Sequence, residues 1–230
     1  LRTPLTTIQG NLDIIRLYGN DPKSVEAIKG EVQRMTRMVD DLLLLAQADS
    51  GQIPVETEEL ELDQLLLEIY NVAGILSKGK YKLKLGDFDQ VRISGNADRL
   101  KQLFLNLTTN AIKYTPEGGT ITISLKQVND RVHASVSDTG VGIPAEDLEH
   151  IFNRFYRVDK ARSRDEGGSG LGLSIAKWIA EVHQGSIKVN SKEGAGTTFT
   201  VILPIKPDKT ATEPNTPPEP RSRFAPIRLS

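Results

Sequence analysis

Apolar residues recur every three or four positions at the start of the chain and every second position through its middle, so two architectures follow one another. Leu1, Leu5, Ile8, Leu12 and Ile15 are spaced 4, 3, 4, 3, the seam of a heptad helix. Tyr18-Gly-Asn-Asp-Pro22 interrupts it, with Asp21 suited to cap a second helix and Pro22 to its first position. That helix repeats the seam at Val25, Ile28, Val32, Met35, Val39, Leu42 and Ala46, and Gly51 is expected to stop it. Two heptad helices joined by a short loop make an α-hairpin. One hairpin leaves apolar surface open, so two are expected to pair as a four-helix bundle, a homodimer through residues 1–50.

From residue 60 the period changes. Leu60-Glu-Leu62 reads as a short strand, and Asp63 is expected to cap a helix running to about Leu76. Residues 81–85 and 91–94 read as strands split at Gly86-Asp87. A helix follows, stopped by Thr115-Pro116 and a Gly118-Gly119 turn. Residues 120–125 and 132–137 alternate with period two around Asn129-Asp130, a hairpin signal. Residues 151–158 are rich in aromatics, and residues 160–168, charged and ending in glycine, are expected to form a mobile loop. A helix over 171–183 closes at Gly185, and residues 187–190 and 198–203 form a last hairpin around Gly194-Ala-Gly196. The expected fold class is α+β: the hairpin, then an α/β sandwich whose mixed, mostly antiparallel sheet is covered by helices on one face. Past Lys206 there are six prolines in 24 residues and no apolar period, which predicts a disordered tail. The predicted divisions are the hairpin over 1–51, a linker over 52–59, the sandwich over 60–205 and the tail over 206–230.

Composition narrows the chemistry. Lys plus Arg number 29 against 30 Asp plus Glu, so nothing suggests a general binder of nucleic acid or membrane surfaces. Cysteine is absent, which removes disulfides and thiolates and fits a reducing compartment. His133, His150 and His183 are scattered, so a zinc site is not expected. The longest strongly apolar run, residues 42–46, is too short to span a bilayer, and the opening residues do not form a signal peptide.

Asn106-Leu-Thr-Thr-Asn110-Ala-Ile-Lys113-Tyr114 is the stretch around which the chemistry gathers. On a helix, Asn106, Asn110 and Lys113 fall within roughly 80° of one another. Leu100, Leu103, Phe104, Leu107 and Ala111 form a core-facing stripe roughly 110° away. Two amide oxygens suit Mg²⁺, which takes few protein ligands, and the lysine suits the phosphates that accompany it. Alone, the face reads better as ordinary solvated surface, and it is the glycine-containing segments further on that reverse this. Asp138-Thr-Gly-Val-Gly142 follows a strand: its carboxylate can accept from an adenine amine, and its glycines admit a flat ring, though a tight turn explains it as well. Gly168-Ser-Gly170-Leu-Gly172-Leu-Ser opens a helix whose free N–H groups can hold phosphate oxygens, or is simply a flexible loop meeting a helix. Phe152, Phe155 and Tyr156 can anchor the mobile loop on the core. Arg157 can reach a phosphate, whereas Arg154 reads as solvated.

In this order and spacing, the segments resemble the catalytic domain of sensor histidine kinases, in the superfamily shared with gyrase, mismatch-repair and heat-shock chaperone ATPases. The resemblance covers about residues 1–204 and rests on Asn106-x-x-x-Asn110-Ala-x-Lys113-Tyr114, Asp138-x-Gly-x-Gly142, Phe152-x-x-Phe155-Tyr156, Gly168-x-Gly170-x-Gly172, Gly196-Thr197-Thr198-Phe199 and Leu203-Pro204. It implies that Asn110 and Asn106 hold Mg²⁺, that Lys113 and Arg157 contact ATP phosphates, and that Tyr114 lies against the nucleotide. It further implies that Asp138 reads the adenine amine beside Gly140 and Gly142, and that residues 153–170 form a lid over ATP. Thr197 would assist at adenine through water. Ile143, Tyr156, Gly168, Ser169, Gly170, Leu171, Gly172 and Leu173 complete the implied ATP site.

Leu1-Arg-Thr-Pro-Leu-Thr resembles the family's H-E-L-R-T-P-L-T box without its first two residues. The phosphoacceptor histidine is therefore expected just before Leu1. The three histidines present read as structural or surface groups. Thr3 falls where the family positions water to dephosphorylate its partner. The resemblance implies a protein-histidine kinase whose hairpin passes the phosphoryl group to an aspartate of a response-regulator receiver domain. It also implies a cytoplasmic location, as the cytoplasmic part of a membrane-anchored sensor if upstream segments supply an anchor. Two other readings stand beside it. An ATP hydrolase of the same superfamily would carry a glutamate base where Asn106 stands, and an amide cannot take that proton. A nucleotide-binding scaffold would use the hairpin only to dimerise.

Overall fold

The computed structural model of the chain describes residues 2–19, 21–50, 56–158 and 169–205, with side chains from residue 4 onward in the first span. Gly51, the whole of the expected mobile loop over 160–168 with Gly168, and the tail over 206–230 lie outside the described residues, as does the side chain of Thr3.

The hairpin consists of α1 (Arg2–Tyr18) and α2 (Pro22–Asp49). Asp21 has an extended backbone, and its carboxylate accepts from the N–H groups of Lys23 and Ser24, with Pro22 leading the helix. A cap of this kind contributes about 1 kcal/mol. The heptad seam divides in two. Ile8, Ile15, Ile28, Met35 and Leu42 are half-buried and close the hairpin. Leu5, Leu12, Val25, Val32 and Val39 remain 54%, 46%, 45%, 49% and 45% exposed. One apolar position of each heptad thus lacks cover within the hairpin itself. Among the described residues, no helix is long and apolar enough to cross a membrane.

The remaining elements are β1 (Glu58–Glu61), α3 (Leu62–Ser77), β2 (Lys82–Phe88), β3 (Arg92–Gly95), α4 (Ala97–Tyr114), β4 (Thr120–Val128), β5 (Arg131–Asp138), α5 (Gly172–Val182), β6 (Ser186–Lys192) and β7 (Gly196–Pro204). Five strands form one sheet in the order β2-β4-β5-β7-β6, and β1 pairs with β3 in a separate two-stranded ladder. Only the β2–β4 pair is parallel, so the sheet is mixed and mostly antiparallel, as expected. Period-two alternation sends Ile121, Ile123 and Leu125 of β4, Val132, Ala134 and Val136 of β5, and Phe199 and Val201 of β7 to the buried face. There they meet Leu62, Leu66 and Ile69 of α3, Leu100, Phe104 and Leu107 of α4, and Ile175 and Ile179 of α5 in one core. Truncating a fully buried leucine or phenylalanine here to alanine would cost about 2–5 kcal/mol. Asn129-Asp130 makes the predicted tight turn, with Asn129 at φ 57.

Three local expectations are corrected. β1 begins at Glu58, two residues inside the predicted linker. Asp63 does not cap α3: ladder pairing of Glu61 with Arg92 brings the helix start to Leu62. Asp63 is then buried, and its carboxylate accepts the Val91 N–H at 3.3 Å. Gly86-Asp87 does not split two strands either. It forms an irregularity within β2, where register against β4 shifts between Leu85 and Phe88.

The start of α4 is fixed from a distance. The Asn96 side chain accepts from Arg99 N at 3.0 Å, and Asn96 N–H donates to His183 Nε2 at 2.9 Å. His183 Nδ1 lies 2.7 Å from Ile179 O, so Nδ1 carries the proton and the ring is neutral. Burial lowers its pKa below the usual imidazole value, with the bond to Ile179 acting weakly the other way. His183 is thus a structural group, as the sequence suggests.

Candidate functional site

The predicted polar face of α4 exists and lies beside a fully packed stripe. Leu100, Leu103, Phe104 and Leu107 are each 0% exposed. Asn106 donates its amide Nδ2 to Gly172 O at 3.1 Å, which leaves its amide oxygen unpaired among the described residues. One turn on, half-buried Asn110 offers a second amide. Lys113 Nζ stands 5.0 Å from the centroid of the Tyr114 ring, which is half exposed. No group of three or more His, Cys, Asp or Glu that could hold a metal occurs among the described residues. The donor set here is two amides, which fits a Mg²⁺ ion that keeps most of its waters and suits few other metals.

The carboxylate end of the site lies where β5 stops. Asp138 is 8% exposed. Its Oδ1 accepts from Gly140 N at 2.8 Å and Thr197 N at 3.3 Å, while no donor among the described residues reaches Oδ2. Burial pushes its pKa up, and the two N–H bonds pull it partly back. The glycines after it are required by close approach. A Cβ on Gly140 would sit 2.5 Å from Tyr114 O, and one on Gly142, at φ 71, would sit 2.1 Å from Lys192 O. Val141 N–H donates to Tyr114 O at 3.2 Å, so this loop is tied to the end of α4. Ser191 locks its far side: Oγ accepts from Ile143 N at 2.9 Å and lies 2.9 Å from Thr197 Oγ1.

The third part is the start of α5. No side chain caps this helix, and Gly172 sits against Asn106. Leu171 is fully buried, so only its main chain can face a ligand, and its N–H donates to Ser169 Oγ at 3.3 Å. Leu173 packs against the core. Gly170, at φ 72, accepts the Phe155 N–H at 2.9 Å. Phe155 itself stands at φ 63. A bulky residue in that region costs about 1–3 kcal/mol and needs its neighbours to hold it there.

The aromatic segment divides by role. Phe152 packs edge-on to Phe199 with centroids 6.3 Å apart, as an anchor should. Phe155 does not anchor on the core and is 57% exposed, because its left-handed backbone turns it outward. The Tyr156 hydroxyl donates to the Asp147 carboxylate, in a single 3₁₀ turn (Ala145–Asp147), which raises the phenol pKa. Arg157 is half-buried. Arg154 is not merely solvated: its Nη1 and Nη2 donate to the two Asp49 oxygens at 2.7 and 2.6 Å. α4, which carries Asn106, Asn110, Lys113 and Tyr114, therefore meets Gly140 through Tyr114 and Gly172 through Asn106. Ser191, Asp147 and Asp49 also shape the site. None stands in a motif, and their partners are set by strand pairing and packing rather than by spacing.

Two families match the chain. The His Kinase A (phospho-acceptor) domain matches residues 1–51, and the Histidine kinase-, DNA gyrase B-, and HSP90-like ATPase matches residues 95–207. The sensor histidine kinase WalK of Bacillus subtilis is 37% identical over 218 residues, 91% of this chain and 36% of that protein. The phosphate regulon sensor protein PhoR of Pseudomonas aeruginosa is 37% identical over 206 residues, 87% of this chain and 46% of that protein. The chain therefore spans less than half the length of these relatives. Among solved structures, the catalytic domain of histidine kinase ThkA is 32% identical with a TM-score of 0.58, over 66% of this chain and 99% of that one. ThkA in complex with response regulator protein TrrA is 28% identical with a TM-score of 0.70, over 89% of this chain and 58% of that one.

Proposed function

The chain belongs to the sensor histidine kinases, and from that premise we propose that it is a cytoplasmic kinase core that binds Mg²⁺-ATP for phosphoryl transfer to histidine. The observation that carries this reading is that one helix ties both ends of the site together. Asn106 meets Gly172 at the start of α5, and Tyr114 O meets Val141 N in the loop after Asp138. Those points lie about 12 Å apart along α4, one suited to phosphates and the other to a base.

In this reading, the Asp138 Oδ2 accepts the exocyclic amine of adenine, with Gly140, Gly142 and Ile143 beside the ring and Thr197 assisting through water. Tyr114 and Tyr156 border the nucleotide. Lys113, Arg157 and the N–H groups from Ser169 to Leu173, with Gly168 and Gly170, hold the phosphates. Asn106 and Asn110 hold Mg²⁺, whose charge offsets that of the phosphates. Phosphoryl transfer depends on positioning and electrostatics more than on covalent chemistry from the protein. An imidazole nitrogen forms the bond to the γ-phosphorus as the bond to the β–γ bridging oxygen breaks, and ADP leaves with that electron pair. The acceptor is the histidine that the resemblance puts immediately before Leu1. In support, residues 1–51 contain no histidine, and His183 has both ring nitrogens engaged. The exposed seam at Leu5, Leu12, Val25, Val32 and Val39 supports a homodimer. The likeness to ThkA bound to TrrA supports onward transfer to a response-regulator aspartate, with Thr3 positioning the water that hydrolyses the aspartyl phosphate to free phosphate and aspartate.

Calorimetry tests the core of this reading. The chain should bind ATP in the presence of Mg²⁺, and Asn110→Ala should abolish the Mg²⁺-dependent part. Unchanged affinity in that variant would remove Asn110 from the metal site. Labelling of His133, His150 or His183 with γ-phosphate would overturn the placement of the acceptor. The hydrolase alternative is tested by Asn106→Glu: the wild type should hydrolyse ATP more slowly than the variant.

A further inference from the structure

The end of α2 is docked on the α/β unit. Leu44 and Leu45 are 6% and 3% exposed, and Met38 and Leu42 pack against the same core. Four residues beyond Leu45, Asp49 receives both Arg154 nitrogens at 2.6 and 2.7 Å, across 105 positions of chain. A two-pronged guanidinium–carboxylate pair fixes orientation as well as distance. Arg154 directly precedes Phe155, the exposed residue at φ 63 whose N–H donates to Gly170 O at 2.9 Å. Gly170 lies two residues before Gly172, whose carbonyl accepts from Asn106 at 3.1 Å. Contacts therefore run without a gap from the hairpin, through Arg154 and Phe155, to the start of α5 and the polar face of α4.

We infer that Arg154 is a positioning residue for the phosphate end of the site: through its pair with Asp49, docking of the hairpin sets the geometry of the α5 N-terminus. Hairpin docking and nucleotide affinity are then coupled, and by linkage nucleotide binding shifts docking to the same extent. The inference rests on the nucleotide reading above. Both partners are partly exposed, so the coupling is expected to be modest, about two- to fivefold in affinity.

The test uses Asp49→Arg, Arg154→Asp and the exchanged pair carrying both. Two quantities are read: amide hydrogen exchange at Phe155 without nucleotide, and ADP affinity with Mg²⁺ by calorimetry. Each single variant should speed Phe155 exchange and weaken ADP binding two- to fivefold, and the exchanged pair should restore both. A pair whose losses are the sum of the singles overturns the inference, as does faster exchange with unchanged ADP affinity. If the wild type binds no ADP, the nucleotide reading fails by itself, and Phe155 exchange still decides whether the ion pair holds the start of α5.

Discussion

His183 should make the stability of this protein depend on pH in a defined window. The ring is buried, its Nδ1–H donates to Ile179 O, and Nε2 accepts the Asn96 N–H at 2.9 Å. Protonation would put an N–H on Nε2 facing another N–H, in a site where burial already disfavours charge. The folded pKa is accordingly lowered, while in the unfolded chain the group titrates at about 6.5. The unfolded state therefore binds more protons below that value. The stabilisation is present above pH 6.5 and is lost as pH falls through it, until the folded ring itself protonates. If the folded ring stays neutral throughout, lowering the pH from 7.5 to 5.5 removes about 1.4 kcal/mol. His183→Gln keeps an amide oxygen near the Asn96 N–H and removes the titration, so the difference between wild type and variant isolates this group from the carboxylates. Urea unfolding at fixed protein concentration, followed through Trp178, the single tryptophan, gives both curves. Wild type should lose stability relative to the variant across that window. Parallel pH curves would refute the neutral-acceptor assignment.

Three further outcomes follow from the same geometry. Asp138→Asn should weaken adenine nucleotide binding about 10- to 100-fold at neutral pH. Because burial raises the Asp138 pKa, wild-type affinity should also fall towards pH 5 more steeply than the variant's, as measured by calorimetry. Gly142→Ala should destabilise the fold by about 2–4 kcal/mol in chemical denaturation, because its Cβ meets backbone, Lys192 O at 2.1 Å, at φ 71. Val32→Asp, at a seam position exposed in the single hairpin, should give a monomer in sedimentation at tens of micromolar while helix content by circular dichroism is kept; an unchanged dimer would place the interface elsewhere.

What the sequence by itself determined was whatever rests on spacing along one element. Heptads defined the hairpin, Asp21-Pro22 defined the start of α2, and Asn129-Asp130 defined the turn between β4 and β5. The polar face of α4 was equally legible, because 3.6-residue periodicity places Asn106, Asn110 and Lys113 together whatever surrounds them. Short apolar runs fared less well. Gly86-Asp87 looked like a break because glycine and aspartate favour turns. The parallel partner β4 instead keeps β2 continuous and absorbs the irregularity. Asp63 looked like a cap, but pairing of β1 with β3 fixed the helix start two residues earlier, with Glu61 at the cap position, and aimed the Asp63 carboxylate at Val91 N. Tertiary structure alone decided the rest. Asp49 and Arg154 meet across 105 residues, Asn96 and His183 across 87, and Ile143 and Ser191 across 48. Periodicity carries no information at those separations. Such partners are chosen by which apolar faces pack and which strands pair, and only then do the polar groups left at the seams find one another.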